Sequence, residues 1–95
     1  MTGIMLVRQR VADPARFAEV FYGAELDAAR RRHGLVATGT YLDAVSPDTV
    51  IVVMDMDDPE QAREYARSLT LAEGRQQAGA VGEPDAVWYG PSRLR

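Results

Sequence analysis

The sequence has no cysteine, which excludes disulfides, thiolate metal sites and cysteine nucleophiles. That absence fits a reducing, cytoplasmic setting. A single histidine, His33, is present, too few to build a metal site without other convergent ligands. No apolar run approaches the roughly 20 residues that span a bilayer. The opening Met1-Thr2-Gly3-Ile4-Met5-Leu6-Val7-Arg8 lacks a signal-peptide pattern. A cytoplasmic protein with no membrane contact is expected. Excess positive charge is missing too: the net charge of −3 offers no broad basic face to nucleic-acid phosphates. The one basic run, Arg30-Arg31-Arg32, suits the last turn of a helix, where cations meet the negative end of the macrodipole. Gly79, Gly82 and Gly90 lack the strand-loop-helix context of a phosphate loop. Ser46, Ser68 and Ser92 fall in loop or cap contexts, which leaves no serine triad. No metal and no cofactor is expected.

What remains is an ordinary globular composition, 46% hydrophobic and 26% charged, in a chain of one-domain length. Residues 1–95 therefore read as a single domain. Ile4 to Val11 forms a first strand, rich in Ile, Leu and Val. Asp13-Pro14 opens a helix: Asp accepts from free first-turn amides, and Pro at the first helical position loses no hydrogen bond. Phe17, Phe21, Ala24 and Ala28 recur at helical spacing as a buried stripe, with Glu19, Glu25, Asp27, Arg30 and Arg31 on other faces. Gly34 ends this helix in the left-handed conformation. Leu35–Leu42 and Thr49–Met56 are strands around a loop holding Ser46-Pro47-Asp48, with Asp43 and Asp48 as turn residues. Asp58-Pro59 opens a second helical segment, with Gln61 placed for a capping box. A second pair, Thr70 and Glu73, predicts a break near Ser68 to Thr70 and a new helix to about Ala78. Asp85–Tyr89 is a short last strand, and 90–95 a mobile tail or an arm reaching a partner.

Asp13, Pro14, Glu19 and Gly34 are matched by Asp58, Pro59, Glu64 and Gly79 at one constant spacing. The matches fall on helix starts and stops, so the order is β-α-β followed by β-α-β. That is α+β, a ferredoxin-like βαββαβ with a four-stranded antiparallel sheet and both helices on one side. The strand Val50-Ile51-Val52-Val53-Met54 is apolar on both faces, however, and the uncovered face of a solitary sheet should be polar.

The plan resembles the dimeric α+β barrel superfamily, and its antibiotic-biosynthesis-monooxygenase-like branch in particular. The resemblance runs through Val52-Val53-Met54-Asp55-Met56-Asp57-Asp58-Pro59-Glu60-Gln61-Ala62-Arg63-Glu64-Tyr65-Ala66, then Ser68-Leu69-Thr70-Leu71, Ala78-Gly79-Ala80-Val81 and Gly82-Glu83-Pro84. It implies a ligand pocket between sheet and helices in each subunit. It also implies a small-molecule tailoring protein, a cofactor-independent monooxygenase or polyketide-cyclase-like enzyme acting on an aromatic or polyketide-like substrate. The haem-degrading branch implies an Asn, Trp and His set, and this chain has no Asn. Related short sequences carry a His in the first helix where this chain has Phe21-Tyr22-Gly23-Ala24-Glu25.

Within that frame the candidate catalytic residues are His33 and Tyr41, as proton-transfer groups near neutral pH and above. Phe21, Tyr22, Tyr65 and Trp88 are the candidate substrate-binding aromatics, since apolar walls with a few polar tips suit a planar ligand. Each has a plainer reading: His33 as a helix-end residue, the aromatics as core. Arg8 and Arg10 could meet an anionic ligand or lie exposed near a strand end. Asp55, Asp57 and Asp58 read as a capped turn. The rival to an enzyme is a non-catalytic dimeric binding or stress-associated protein, and a cavity filled by Phe21, Tyr65 and Trp88 would favour it.

The two-sided apolar strand predicts a homodimer closed by sheet-to-sheet packing, because burying apolar surface yields roughly 25 cal/mol per Å² before association costs. Light scattering at micromolar concentration should show a dimer; a monodisperse monomer would overturn this expectation.

Overall fold

In the computed structural model, residues 3–95 are described, without the side chains of Leu69 and Thr70. The order is β1 (Gly3–Arg10), α1 (Pro14–Phe21), α2 (Ala24–Arg32), β2 (Leu35–Leu42), β3 (Thr49–Met56), α3 (Pro59–Ala66), α4 (Leu69–Gln77) and β4 (Ala86–Gly90). The four strands form one sheet in the order β2-β3-β1-β4, and every neighbouring pair is antiparallel. This is the ferredoxin-like plan, with each crossover built from two short helices.

The repeated punctuation works as the sequence suggests. Asp13 Oδ1 accepts from the amides of Ala15 and Arg16 at 3.0 and 3.3 Å. Asp58 Oδ1 accepts from Glu60 N at 2.9 Å. Gly34 and Gly79 both have positive φ, 71° and 81°, a conformation that costs any residue with a Cβ more.

Two details differ from the sequence reading. The first crossover is not one helix: Gly23 has ψ 155°, well outside the helical region, and α2 starts afresh after it. The restart changes the helical phase. Ala24 and Ala28 are exposed, whereas Leu26, Ala29 and Arg30 are buried. Arg30, expected on the surface, is therefore interior. In the second crossover the break occurs where expected, but the described cap is Ser68, whose Oγ accepts from Leu71 N at 3.1 Å. The expected Thr70 cap falls on a side chain outside the described residues.

The pleat sorts the sheet into two faces. Met5 pairs with Met54 and Val7 with Val52; these residues face the helices and join Phe17, Phe21, Leu35 and Tyr65 in the core. On the opposite face Leu6 pairs with Val53 and Trp88, Arg8 with Ile51, and Tyr41 with Ile51. No helix covers that face. At its edge Arg8 bonds Asp43 and Asp85, and Arg10 approaches Asp48 at 3.5 Å. Asp43 also accepts from the amides of Val45 and Ser46, both at 3.0 Å. The Ser46 and Val45 amides, with help from Arg8, hold its carboxyl below the usual carboxylate range. Asp43 is a turn residue, as its position suggests.

The Ser68 cap is testable by itself. Ser68→Ala should lower stability by about 1 kcal/mol in urea denaturation, and Ser68→Asp, which can still accept from the helix, should recover most of it.

Candidate functional site

Between the helices and the covered sheet face lies a cavity of about 90 Å³. Met5, Val7, Val52 and Met54 form its floor, and Phe17, Phe21, Leu26 and Leu71 its helical walls. Glu83 and Pro84 stand at its rim. The close approach of α4 to α2 sets one side. A Cβ on Gly74 would sit 2.6 Å from Leu26 Cδ2, so a larger residue there would drive Leu26 into the space.

Besides Glu83, three polar side chains belong to this lining: Gln9, Tyr65 and Arg75. Gln9 and Arg75 are engaged with each other and with the loop after α4. Arg75 Nη2 donates to Gln9 Oε1 at 2.7 Å and to the Gly82 carbonyl at 2.6 Å. Gln9 Nε2 donates to the carbonyls of Arg10 at 2.7 Å and Val81 at 3.2 Å. This cluster ties α4, β1 and the 81–83 loop together, and its hydrogen-bonding capacity is largely used.

Tyr65 is different. It is 1% exposed, and its hydroxyl has no hydrogen-bond partner. Burial pushes its ionisation above the ordinary tyrosine value, and the neighbouring Arg30 guanidinium only partly opposes this. Tyr65 is thus a neutral donor at physiological pH. Arg30 lies over the Phe21 ring at 4.0 Å and donates from Nη2 to the Phe21 carbonyl at 2.8 Å.

Of the residues singled out from sequence, Phe21 and Tyr65 do line the cavity. Tyr22 does not: it is exposed, and its hydroxyl pairs with Thr40 Oγ1 at 2.8 Å. Trp88 and Tyr41 lie on the uncovered sheet face, 51% and 61% exposed, because the register puts Trp88 beside Leu6 and Tyr41 beside Ile51. Arg8 and Arg10 share that face. His33 caps α2; Nδ1 donates to the Ala29 carbonyl at 2.9 Å, and the ring sits 5.7 Å from that of Tyr65 without being part of the cavity lining. The expected catalytic pair, His33 and Tyr41, is not brought together. Sequence reasoning missed Gln9, Arg75 and Arg30. For Arg30 the available signal was its position four residues after Leu26, on the same helical face, which the restart after Gly23 turns inward.

No family model matches the chain, and no curated protein matches it. Solved structures do. A Bordetella bronchiseptica protein described as a "putative antibiotic biosynthesis monooxygenase" superposes with TM-score 0.64 at 17% identity, covering 98% of each chain. A Nitrosomonas europaea protein of the same description gives TM-score 0.62 at 11% identity, over 98% of this chain and 99% of that one. An Agrobacterium tumefaciens nipsnap family protein of unknown function gives 0.57 at 10% identity, over 99% and 91%. At these identities the likeness is one of fold, and it spans the whole chain.

The buried phenol yields a pH prediction. Tyr65 binds its proton more tightly folded than unfolded, so its contribution to stability is complete below the ordinary tyrosine range and is lost as pH rises through it. Urea denaturation across that alkaline window should show stability falling for the wild type, and a shallower fall for Tyr65→Phe.

Proposed function

We propose that the protein is a small-molecule tailoring protein of the monooxygenase-like kind, with the helix–sheet cavity as its ligand site. The observation that carries this reading is the cavity itself, apolar on most sides and with the aromatic residues Phe17, Phe21 and Tyr65 in its wall. Such a site suits a flat apolar molecule oriented by one polar group. At about 90 Å³ the space is below the roughly 150 Å³ that accepts benzene in an engineered protein cavity. A single-ring ligand, admitted with slight widening, fits better than a polycyclic one.

In the oxygenase form of this reading the substrate supplies the electrons. A phenolate reacts with molecular oxygen and one proton, the ring carbon gains one oxygen atom, and quinone and water leave. The chain's part is to exclude water and to hold the developing negative oxygen with the neutral Tyr65 donor. Tyr65 takes the role that the sequence offered to Tyr41. A cyclase form would use the same cavity for proximity alone. We further propose that two chains pack their uncovered sheet faces together, with Leu6, Ile51, Val53 and Trp88 at the contact.

One observation favours the second reading, a non-catalytic binding protein: the only carboxylate in the described lining is Glu83, at the rim. A substrate would have to arrive with its own acidity. Oxygen-electrode assays with single-ring phenols and hydroquinones, paired with native mass spectrometry, separate the readings. Oxygen uptake above the uncatalysed rate, with quinone formed, is the expected result. Ligand retention without uptake would leave the binding protein, and neither result would remove the cavity as a site.

A further inference from the structure

Two charged side chains belong to the described cavity lining, Arg75 and Glu83. Arg75 is carried there by α4, whose inner face follows helical spacing through Leu71, Arg75 and Ala78. Its guanidinium is held at one nitrogen. Nη2 donates to Gln9 Oε1 at 2.7 Å and to the Gly82 carbonyl at 2.6 Å. Both acceptors are neutral, so they fix the group in place without cancelling its charge. Gln9 is itself only 2% exposed and donates to the carbonyls of Arg10 and Val81, so the guanidinium rests on a buried and anchored partner.

The other terminal nitrogen, Nη1, has no hydrogen bond among the described residues. Its carboxylate neighbour is Glu83 Oε2 at 3.8 Å, beyond hydrogen-bond reach. The Arg75 side chain keeps 22% of its surface accessible, and that of Glu83 keeps 92%. An ion pair so exposed contributes little, and Glu83 can swing into solvent at small cost. Asp85, further along the same loop, is paired with Arg8 instead. The rim of an apolar cavity thus carries an oriented, accessible cation with a carboxylate near it but not bonded to it.

We propose that Arg75 selects the ligand by charge: it receives the carboxylate of a small apolar acid at the rim, where Glu83 now stands, while the single ring or short chain of that acid enters between helices and sheet. This rests on the cavity reading given above and adds the ligand's charge and the end by which it is held. Nη1 offers two N–H groups to the carboxylate, and charge-assisted bonds of this kind are the strong ones. The floor of Met5, Val7, Val52 and Met54 accepts only the apolar end, so the ligand has one orientation. A charged group left at the rim also reduces what a space of about 90 Å³ has to hold.

Calorimetric titration at low ionic strength with benzoate, and with benzamide as its neutral counterpart of the same shape, tests the proposal. Benzoate should bind about tenfold or more tightly than benzamide. Arg75→Gln, which removes the charge and keeps an amide donor, should bring the two affinities to within about twofold of each other. Glu83→Gln removes the competing carboxylate from an exposed side chain, and should raise the benzoate-over-benzamide ratio about twofold to fivefold. Should Arg75→Gln not fold, Glu83→Gln decides: a raised ratio supports the proposal and an unchanged one overturns it. Equal binding of the two ligands by the wild type, or a preference that survives Arg75→Gln, would overturn the role of Arg75 and leave the cavity reading standing. Binding of neither ligand would overturn both.

Discussion

The change of helical phase at Gly23 decides what the interior of this protein contains. Had the helix run on from Asp13, its inner stripe would have continued through Ala24 and Ala28, a small and wholly apolar seam. Because the chain leaves the helical region at Gly23 and starts again, the second half turns Leu26, Ala29 and Arg30 inward. Leu26 fills the gap that Gly74 leaves on α4, and together they fix one side of the cavity. Arg30 then has nowhere to go but beneath Phe21 and beside Tyr65. One backbone step thus sets the packing of two helices, the shape of the cavity and the position of a buried charge.

The two polar clusters near the cavity show how differently the interior treats charge. Gln9 and Arg75 are bonded to each other, and Gln9 Nε2 and Arg75 Nη2 also reach backbone carbonyls. Such a set rigidifies what it joins. Arg30 is left open, with stacking on Phe21 and one carbonyl bond as its only described compensation beyond a distant Asp27. Truncating a partner of a buried charge is strongly destabilising, whereas replacing the charge by an apolar chain is often neutral.

Much of the architecture was legible in the sequence because its signals are local. Asp13-Pro14, Asp58-Pro59, Gly34 and Gly79 act within one helical turn, and the structure uses all of them as caps or stops. The two-sided apolar character of β3 likewise survives as an uncovered sheet face. The site was less legible because it depends on relations between distant elements. Whether Trp88 points at the helices or away from them is decided by its pairing with Leu6, and a one-residue shift would reverse it. Tyr41 was misplaced for the same reason. Phe21 and Tyr65 were found because a helix stripe names its buried face directly. Arg30 was hidden in a run of three arginines whose other two, Arg31 and Arg32, are exposed.

The strand order has a consequence for how the chain reaches this state. β1 lies inside the sheet, paired with β3 on one edge and β4 on the other, so of the four strands of this sheet the earliest in sequence is completed by the latest. Until Ala86–Gly90 has left the ribosome, one edge of β1 is bare, with Leu6 and Val7 open to wrong partners. Pairings between residues so distant in sequence are slow to close in general, and this one joins the two βαβ halves in a single sheet. A nascent chain of this kind waits, and during that wait it depends on whatever shields an unfinished sheet edge.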